Sequence, residues 1–248
     1  MCGIVGVVGN GDIAPLLMES LGRLQYRDYD SCGLATVNEI GIDVRKDVGR
    51  LEDVAERWNF TSAQGQVGIA HTRRATHGGV SQNNAHPHLS CDQNFAVVHN
   101  GIIFNHEERK IKLQGLGKHF FFSETDSEVI GHLMEEAYQP GVSVEDAFVR
   151  VLHCLEGIFA IAMISRDEPE TIFCASHKRP LMLGIDSGTN YVGSDAKAFP
   201  AYTRQIIPLN DGEYGVVLSN HFRIRAIATG EERRNPPAEL DWTVEYGR

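Results

Sequence analysis

A chain of 248 residues with 42% hydrophobic and 23% charged side chains can bury roughly 70–75% of its unfolded surface, so neither disulfide nor metal is required to hold it. A formal net charge of −10 argues against nucleic acid or an anionic membrane as the main partner, and leaves room for a small anion held by a local arginine. The five cysteines, Cys2, Cys32, Cys91, Cys154 and Cys174, are odd in number and form no CxxC pair, which argues against a disulfide framework and for a reduced, cytoplasmic compartment.

No signal peptide precedes Cys2, and no apolar run is long enough to span a bilayer. Ile4 to Val8 reads as a short buried strand closed by the Gly9-Asn10-Gly11 turn. Asp12 is placed to cap a helix carrying Leu16, Leu17, Leu21 and Leu24. A polar loop, Tyr26 to Ser31, follows. Leu34 to Val37 and Ile42 to Val48 form a predicted strand pair, and Leu51 to Trp58 a short helix. The predicted strand Val67 to Ala70 runs into His71 to Gly79, a polar loop of the kind that often carries functional groups. Phe95 to His99 reads as a strand closed by Asn100-Gly101, the strongest short turn dipeptide in the chain.

Asn105 begins a predicted helix, and Phe120-Phe121-Phe122 an apolar strand. Ser123 to Asp126 precedes a helix bearing Val129, Ile130, Leu133 and Met134. Val144 to Leu155 is helical, with Gly157 at its C′ position. Seven predicted strands fill Ile158 to Ala228, with a short helix over Ala196 to Tyr202. Thr229 to Arg248 is polar, contains Pro236-Pro237, and reads as a linker. The class is α+β, with sheets that bury one face each.

Individual residues leave two readings open. Cys2 is either a buried strand residue or, once Met1 is removed, a nucleophile carrying its own base: the free α-amine has a reference pKa of roughly 8. His71, His77, His86, His88 and His99 are either metal ligands or histidines bonded within their own loops. The absence of any acidic residue between Gly65 and Ser90, and of any HExxH, favours the second. Arg73 can hold a carboxylate bidentately or be idle. Asn100-Gly101 is either a hairpin turn or a pair aiming an amide and a backbone N–H at a developing oxyanion. Asp126 by itself reads as a helix-terminus acid.

The ordered combination is more specific than its parts. Cys2-Gly3-Ile4-Val5-Gly6, Tyr26-Arg27 with Tyr29-Asp30-Ser31, His71-Thr72-Arg73 with Ala75-Thr76-His77-Gly78, Asn84-Ala85-His86-Pro87, His99-Asn100-Gly101-Ile102 and Ser123-Glu124-Thr125-Asp126 occur in that order. Together they resemble the class II, N-terminal-nucleophile glutaminase domain of the glutamine–fructose-6-phosphate aminotransferases, from Cys2 to about Ala228. The resemblance implies a four-layer αββα sandwich of the N-terminal-nucleophile hydrolase type. It implies that Cys2 attacks the glutamine side-chain amide, that Asn100 and the Gly101 N–H form the oxyanion hole, and that Arg27 helps hold the site. Arg73 would bind the α-carboxylate of glutamine and Asp126 its α-ammonium, with Thr76 and His77 lining the pocket. No metal and no cofactor are expected.

Three positions depart from the family: Arg74 replaces a tryptophan that gates the ammonia channel, Asp28 a glycine, and Phe104 a glutamate. The sugar-phosphate isomerase domains of the family, expected after residues 229–248, are not in this sequence, so an excised domain or a separate synthase chain is expected. The competing readings are another class II amidotransferase and a non-catalytic glutamine-binding module. Intact Cys2, Arg73, Asn100, Gly101 and Asp126 count against the module.

Overall fold

A computed structural model describes residues 2–199 and 203–240. In chain order the elements are β1 (Gly3–Gly9), α1 (Ala14–Gly22), β2 (Ser31–Asn38), β3 (Gly41–Val48), α2 (Leu51–Arg57), β4 (Val67–Arg73), β5 (His88–Leu89) and β6 (Phe95–Ile103). Three helices follow: α3 (His106–Gly115), α4 (Glu128–Ala137) and α5 (Val144–Cys154). The remainder is β7 (Gly157–Ser165), β8 (Ile172–His177), β9 (Leu181–Asp186), β10 (Thr189–Gly193), β11 (Gln205–Leu209), β12 (Glu213–Val217), β13 (Phe222–Ala226), β14 (Glu232–Arg233) and β15 (Ala238–Glu239).

Two antiparallel sheets result. One has the order β15-β11-β9-β10-β1-β4-β2-β3, the other β14-β13-β12-β8-β7-β6-β5. The period of two along each strand sorts its side chains between layers. In β1, Ile4 and Val8 enter the core between the sheets, whereas Val5 and Val7 pack with Leu17 and Leu21 of α1. In β7, Ala160, Ala162 and Ile164 face the opposite sheet, and Phe159, Ile161 and Met163 face α4 and α5. Strands covered on both faces read as continuous apolar runs, which is why the predicted strands were dense in Val, Ile and Ala. The layers are α1/α2, sheet, sheet, α3/α4/α5, the expected αββα sandwich.

Several local expectations are corrected. Asn100-Gly101 is no turn: β6 runs through it, paired with β7 from Phe95↔Ser165 to Ile103↔Gly157. Gly101 has φ +139°, and a Cβ there would lie 1.9 Å from the Ile158 carbonyl oxygen. The glycine is thus demanded by strand packing and not by a hairpin. Gly157 is no helix C′ residue but the first residue of β7, with φ +153°. Phe120 to Phe122 form no strand: Phe120 and Phe122 are exposed, and only Phe121 packs inward, on His132. Asp12 does not cap α1; its carboxylate accepts from the Gly65 N–H at 3.2 Å. Residues 229–240, read as linker, return to both sheets through β14 on β13 and β15 on β11. Only Ala196–Ala198 of the helix expected over Ala196 to Tyr202 forms a 3₁₀ turn; residues 200–202, like Met1 and residues 241–248, lie outside the described residues.

Candidate active site

β1 lies at the centre of its sheet, beside β4, with Gly3 opposite Thr72. The start of β1 therefore meets the end of β4, where Arg73 sits, and β6 of the other sheet brings Asn100 and Gly101 to the same end of the sandwich. A first strand tends to fray. Here it is pinned: the Ile4 N–H donates to Ser194 Oγ at 3.0 Å, and Arg27 Nη1 donates to the Cys2 carbonyl at 3.0 Å. Asn100 Nδ2 donates to the same carbonyl at 3.3 Å. Cys2 is half-buried, and its sulfur meets the Arg74 backbone, accepting from the N–H at 3.2 Å and facing the carbonyl at 3.6 Å. Those are backbone contacts, so they do not depend on the side chain at position 74.

Arg27 is itself held. Its guanidinium pairs with Asp195, and Nε donates to Tyr26 Oη at 3.0 Å. The Tyr26 hydroxyl in turn donates to Asp195 at 2.7 Å. Burial raises the Asp195 carboxyl, but hydrogen bonds from the Lys197 N–H and Tyr26, with the Arg27 charge, outweigh it and keep the group below its ordinary range.

Two clefts meet at Cys2, sharing Arg74, Thr76 and Gly101. The first is a narrow polar slot of about 30 Å³ lined also by Arg73, His77 and Asp126. The second, of about 630 Å³, is lined by Arg27, Asn100, Arg179 and Met182. In the slot, Arg73 is buried and donates to His77 O at 2.7 Å and Gly79 O at 3.2 Å, with Asp30 at 3.8 Å. Its Nη2 also donates to Gly78 O at 3.5 Å, which leaves Nε–H and one Nη1–H for an anion. Asp126 is buried and accepts from the Ile103 N–H at 2.8 Å. That bond leaves β6 on the side away from β7. Residues two apart on a strand present their N–H groups to the same edge, so the Gly101 N–H also points out of that edge.

All eight residues singled out from the sequence thus line or hold these two clefts. Several supporting residues were not singled out. His71 Nε2 lies 2.9 Å from Asn100 Oδ1; an amide oxygen only accepts, so this nitrogen carries the proton and the Asn100 NH₂ is turned to Cys2. Asp30 accepts from the Ala75 N–H at 2.6 Å. Asn84 and Glu124 bracket Gly79, with Asn84 Nδ2 donating to Gly79 O at 2.9 Å and Glu124 accepting from the Gly79 N–H at 3.0 Å. Asp30, Asn84 and Glu124 stood in the quoted motifs; Asp195 had no local mark.

Three of the five histidines bond outside their own loops and stitch segments together: His71 to Asn100, His88 Nε2 to Thr125 Oγ1 at 3.0 Å and His99 Nδ1 to Ser127 Oγ at 2.8 Å; both ring nitrogens of His86 are buried without a hydrogen-bond partner. Burial pushes His71 down to about 3 and lowers His86, His88 and His99. In the unfolded chain they titrate near 6.5. The unfolded state therefore binds more protons below that value, and stability should be full above pH 6.5 and fall as pH drops toward 3. His71 alone contributes up to about 1.4 kcal/mol per pH unit in that window. Ring resonances of His71 should stay still from pH 8 to 5 in an NMR titration; a midpoint near 6.5 would refute a buried neutral ring.

Comparisons with known proteins identify the family. A family model described as a glutamine amidotransferase domain matches residues 71–201, just over half of the chain. A glutamine–fructose-6-phosphate aminotransferase [isomerizing] of Pyrococcus horikoshii is 43% identical over 245 residues, 99% of this chain and 41% of that protein. One of Geobacillus kaustophilus is 43% identical over 242 residues, 97% of this chain and 40% of that protein. The chain spans about 40% of the length of the curated relatives it matches. Among solved structures, the glutamine phosphoribosylpyrophosphate amidotransferase of B. subtilis superposes with a TM-score of 0.78 at 23% identity, over 92% of this chain and 50% of that one. Among the described residues no helix is long and apolar enough to cross a membrane. The two-sheet sandwich is the fold of that solved amidotransferase, and the chain belongs to the glutamine amidotransferase domain family.

Proposed function

We propose that this chain hydrolyses L-glutamine to glutamate and ammonia through a thioester on Cys2. The observation that carries the reading is that Cys2 and the open Gly101 edge border a slot holding one buried guanidinium, Arg73, and one buried carboxyl group, Asp126, while the Asn100 amide reaches Cys2 from the adjoining cleft. That charge pair matches the two ends of an α-amino acid.

After Met1 is removed, the α-amine of Cys2 takes the thiol proton as sulfur attacks the amide carbon. Negative charge develops on the amide oxygen, where the Asn100 NH₂ and the Gly101 N–H can receive it. The C–N bond breaks, the amine returns its proton to the leaving nitrogen, and ammonia departs. Water then adds to the thioester and glutamate leaves, restoring the thiol. Arg27 takes no proton; it fixes the Cys2 carbonyl and so the nucleophile's rotamer.

The names of the P. horikoshii and G. kaustophilus relatives support fructose 6-phosphate as the acceptor side of the reaction. Ammonia would pass through the larger cleft on the far side of Cys2, past Arg74, to an isomerising synthase domain or chain. Residues 2–228 would form most of the glutaminase unit, completed by β14 and β15 on its two sheets, before the chain leads toward the synthase. A cytoplasmic setting fits the five free thiols.

Glutamate release from glutamine, measured on the purified chain with its intact mass, tests the core of this reading. Loss of the methionine mass with release is expected; retained methionine and no release would refute it. Arg73→Lys keeps the charge but loses the planar fork. It should raise the KM for glutamine about 10–100-fold, the worth of one charged hydrogen bond, with kcat changed much less. An unchanged KM would remove Arg73 from carboxylate binding.

A further inference from the structure

The β5–β6 loop, the segment after α3, and α4 carry a second group of chemically matched side chains. Cys91, in the loop between β5 and β6, His119, after α3, and His132 and Glu135 of α4 each offer one ligand atom, all within 4.8 Å of one another. The sequence implies no metal, and its histidine cluster at residues 71–99 lies outside this group. Three separated segments meet here, and two of the four side chains, His119 and His132, are buried. His132 and Glu135 stand three apart on α4 and so share one helix face.

The nitrogens are arranged as metal ligands are. His132 Nδ1 lies 3.5 Å from Cys91 Sγ, and His119 Nδ1 lies 3.7 Å from Glu135 Oε2. In a tetrahedral site with metal–ligand distances of about 2.0–2.3 Å, neighbouring ligands stand about 3.3–3.7 Å apart. His119 Nδ1 is buried without a hydrogen-bond partner, a costly state for a polar atom that a cation would relieve. The opposite nitrogen of each ring faces a carboxylate. His119 Nε2 is 2.9 Å from Glu136 Oε1, and His132 Nε2 is 3.7 Å from Glu128 Oε1. Ligating histidines are oriented by such an outer carboxylate. A cavity of about 260 Å³, bordered by Cys91, Phe120, Phe122 and His132, gives an entry path from solvent.

We propose that Cys91, His119, His132 and Glu135 bind one divalent transition-metal ion of the zinc class. One thiolate and two imidazoles select a borderline-soft cation over magnesium or calcium. Four protein ligands close the coordination shell, so the site is structural and not hydrolytic. The Cys91 thiol proton passes to solvent on binding, and the thiolate and carboxylate charges balance the dication. The ion would staple the 118–122 segment and the start of α4 to the β5–β6 loop. The chain between those ligands includes Asp126.

Cobalt(II) titration of chelator-treated protein tests this, in a Cys2→Ala background so that the N-terminal thiol cannot supply the signal. One equivalent should bind with a thiolate-to-cobalt band in the near ultraviolet and tetrahedral bands in the visible. Cys91→Ser should abolish the thiolate band and weaken binding at least tenfold. Glu135→Gln, which keeps the carbonyl that accepts from the Cys91 N–H, should weaken it similarly and serves if Cys91→Ser does not fold. Excess zinc should raise the melting temperature by about 5–10 °C in the parent and not in the variants. No thiolate band, or a band that survives Cys91→Ser, would overturn the proposal, as would zinc stabilisation undiminished in Glu135→Gln.

Discussion

Replacing Cys2 with alanine is expected to reduce glutamate release by on the order of 10⁴-fold or more, because loss of a nucleophile removes the covalent pathway and not a fraction of its efficiency. Glutamine should still bind within a few-fold of the parent. The proposed binding groups, Arg73 and Asp126, are held by the His77 and Gly79 carbonyls and by the Ile103 N–H, none of which involves the cysteine sulfur. The fold should survive as well. The hydrogen bonds of the sulfur are to the Arg74 backbone, and the strand start is pinned through the Cys2 carbonyl, which alanine retains. Alanine also permits removal of Met1, so the variant isolates the thiol from the amine. Calorimetric glutamine binding beside a glutamate assay reads both effects. Persistent release would place the nucleophile elsewhere, whereas an unfolded variant would return Cys2 to the role of a buried strand residue.

The layers were legible in the sequence because strands buried on both faces must be apolar throughout, as Ile4 to Val8 and Ile158 to Ile164 are. What misled were local patterns overridden by long-range pairing. Asn100-Gly101 has the composition of a hairpin turn, yet β7 runs beside β6 through and beyond it, and the positive φ of Gly101 is spent on close approach to Ile158. The Phe120 triplet has strand composition, but it forms no strand, and two of its three rings stay exposed. The candidate site residues were found by motif order. Their supports were harder to see. Asp195 lies 168 residues from Arg27, and no spacing rule connects them. His71 stood among five histidines, and only the fold separates the one that bonds Asn100 from the rest.

That bond makes Asn100 and His71 a testable unit. Asn100→Ala should lower kcat by about 10²–10³, the usual cost of one oxyanion donor, with the KM for glutamine little changed. The amide serves the transition state, while ground-state binding rests on Arg73 and Asp126. His71 itself lines neither cleft and acts by orientation: its Nε2–H fixes Asn100 Oδ1, so that the NH₂ faces Cys2. His71→Leu should therefore lower kcat about tenfold, less than loss of the amide itself, because a freed amide still samples the productive orientation. His71→Gln offers an N–H donor in place of the imidazole and should recover most of the loss. The double variant His71→Leu/Asn100→Ala should be no slower than Asn100→Ala alone, since an absent amide cannot be misoriented. A multiplicative loss in the double variant would show that His71 contributes independently of Asn100, and an Asn100→Ala effect confined to KM would take the amide out of the oxyanion hole.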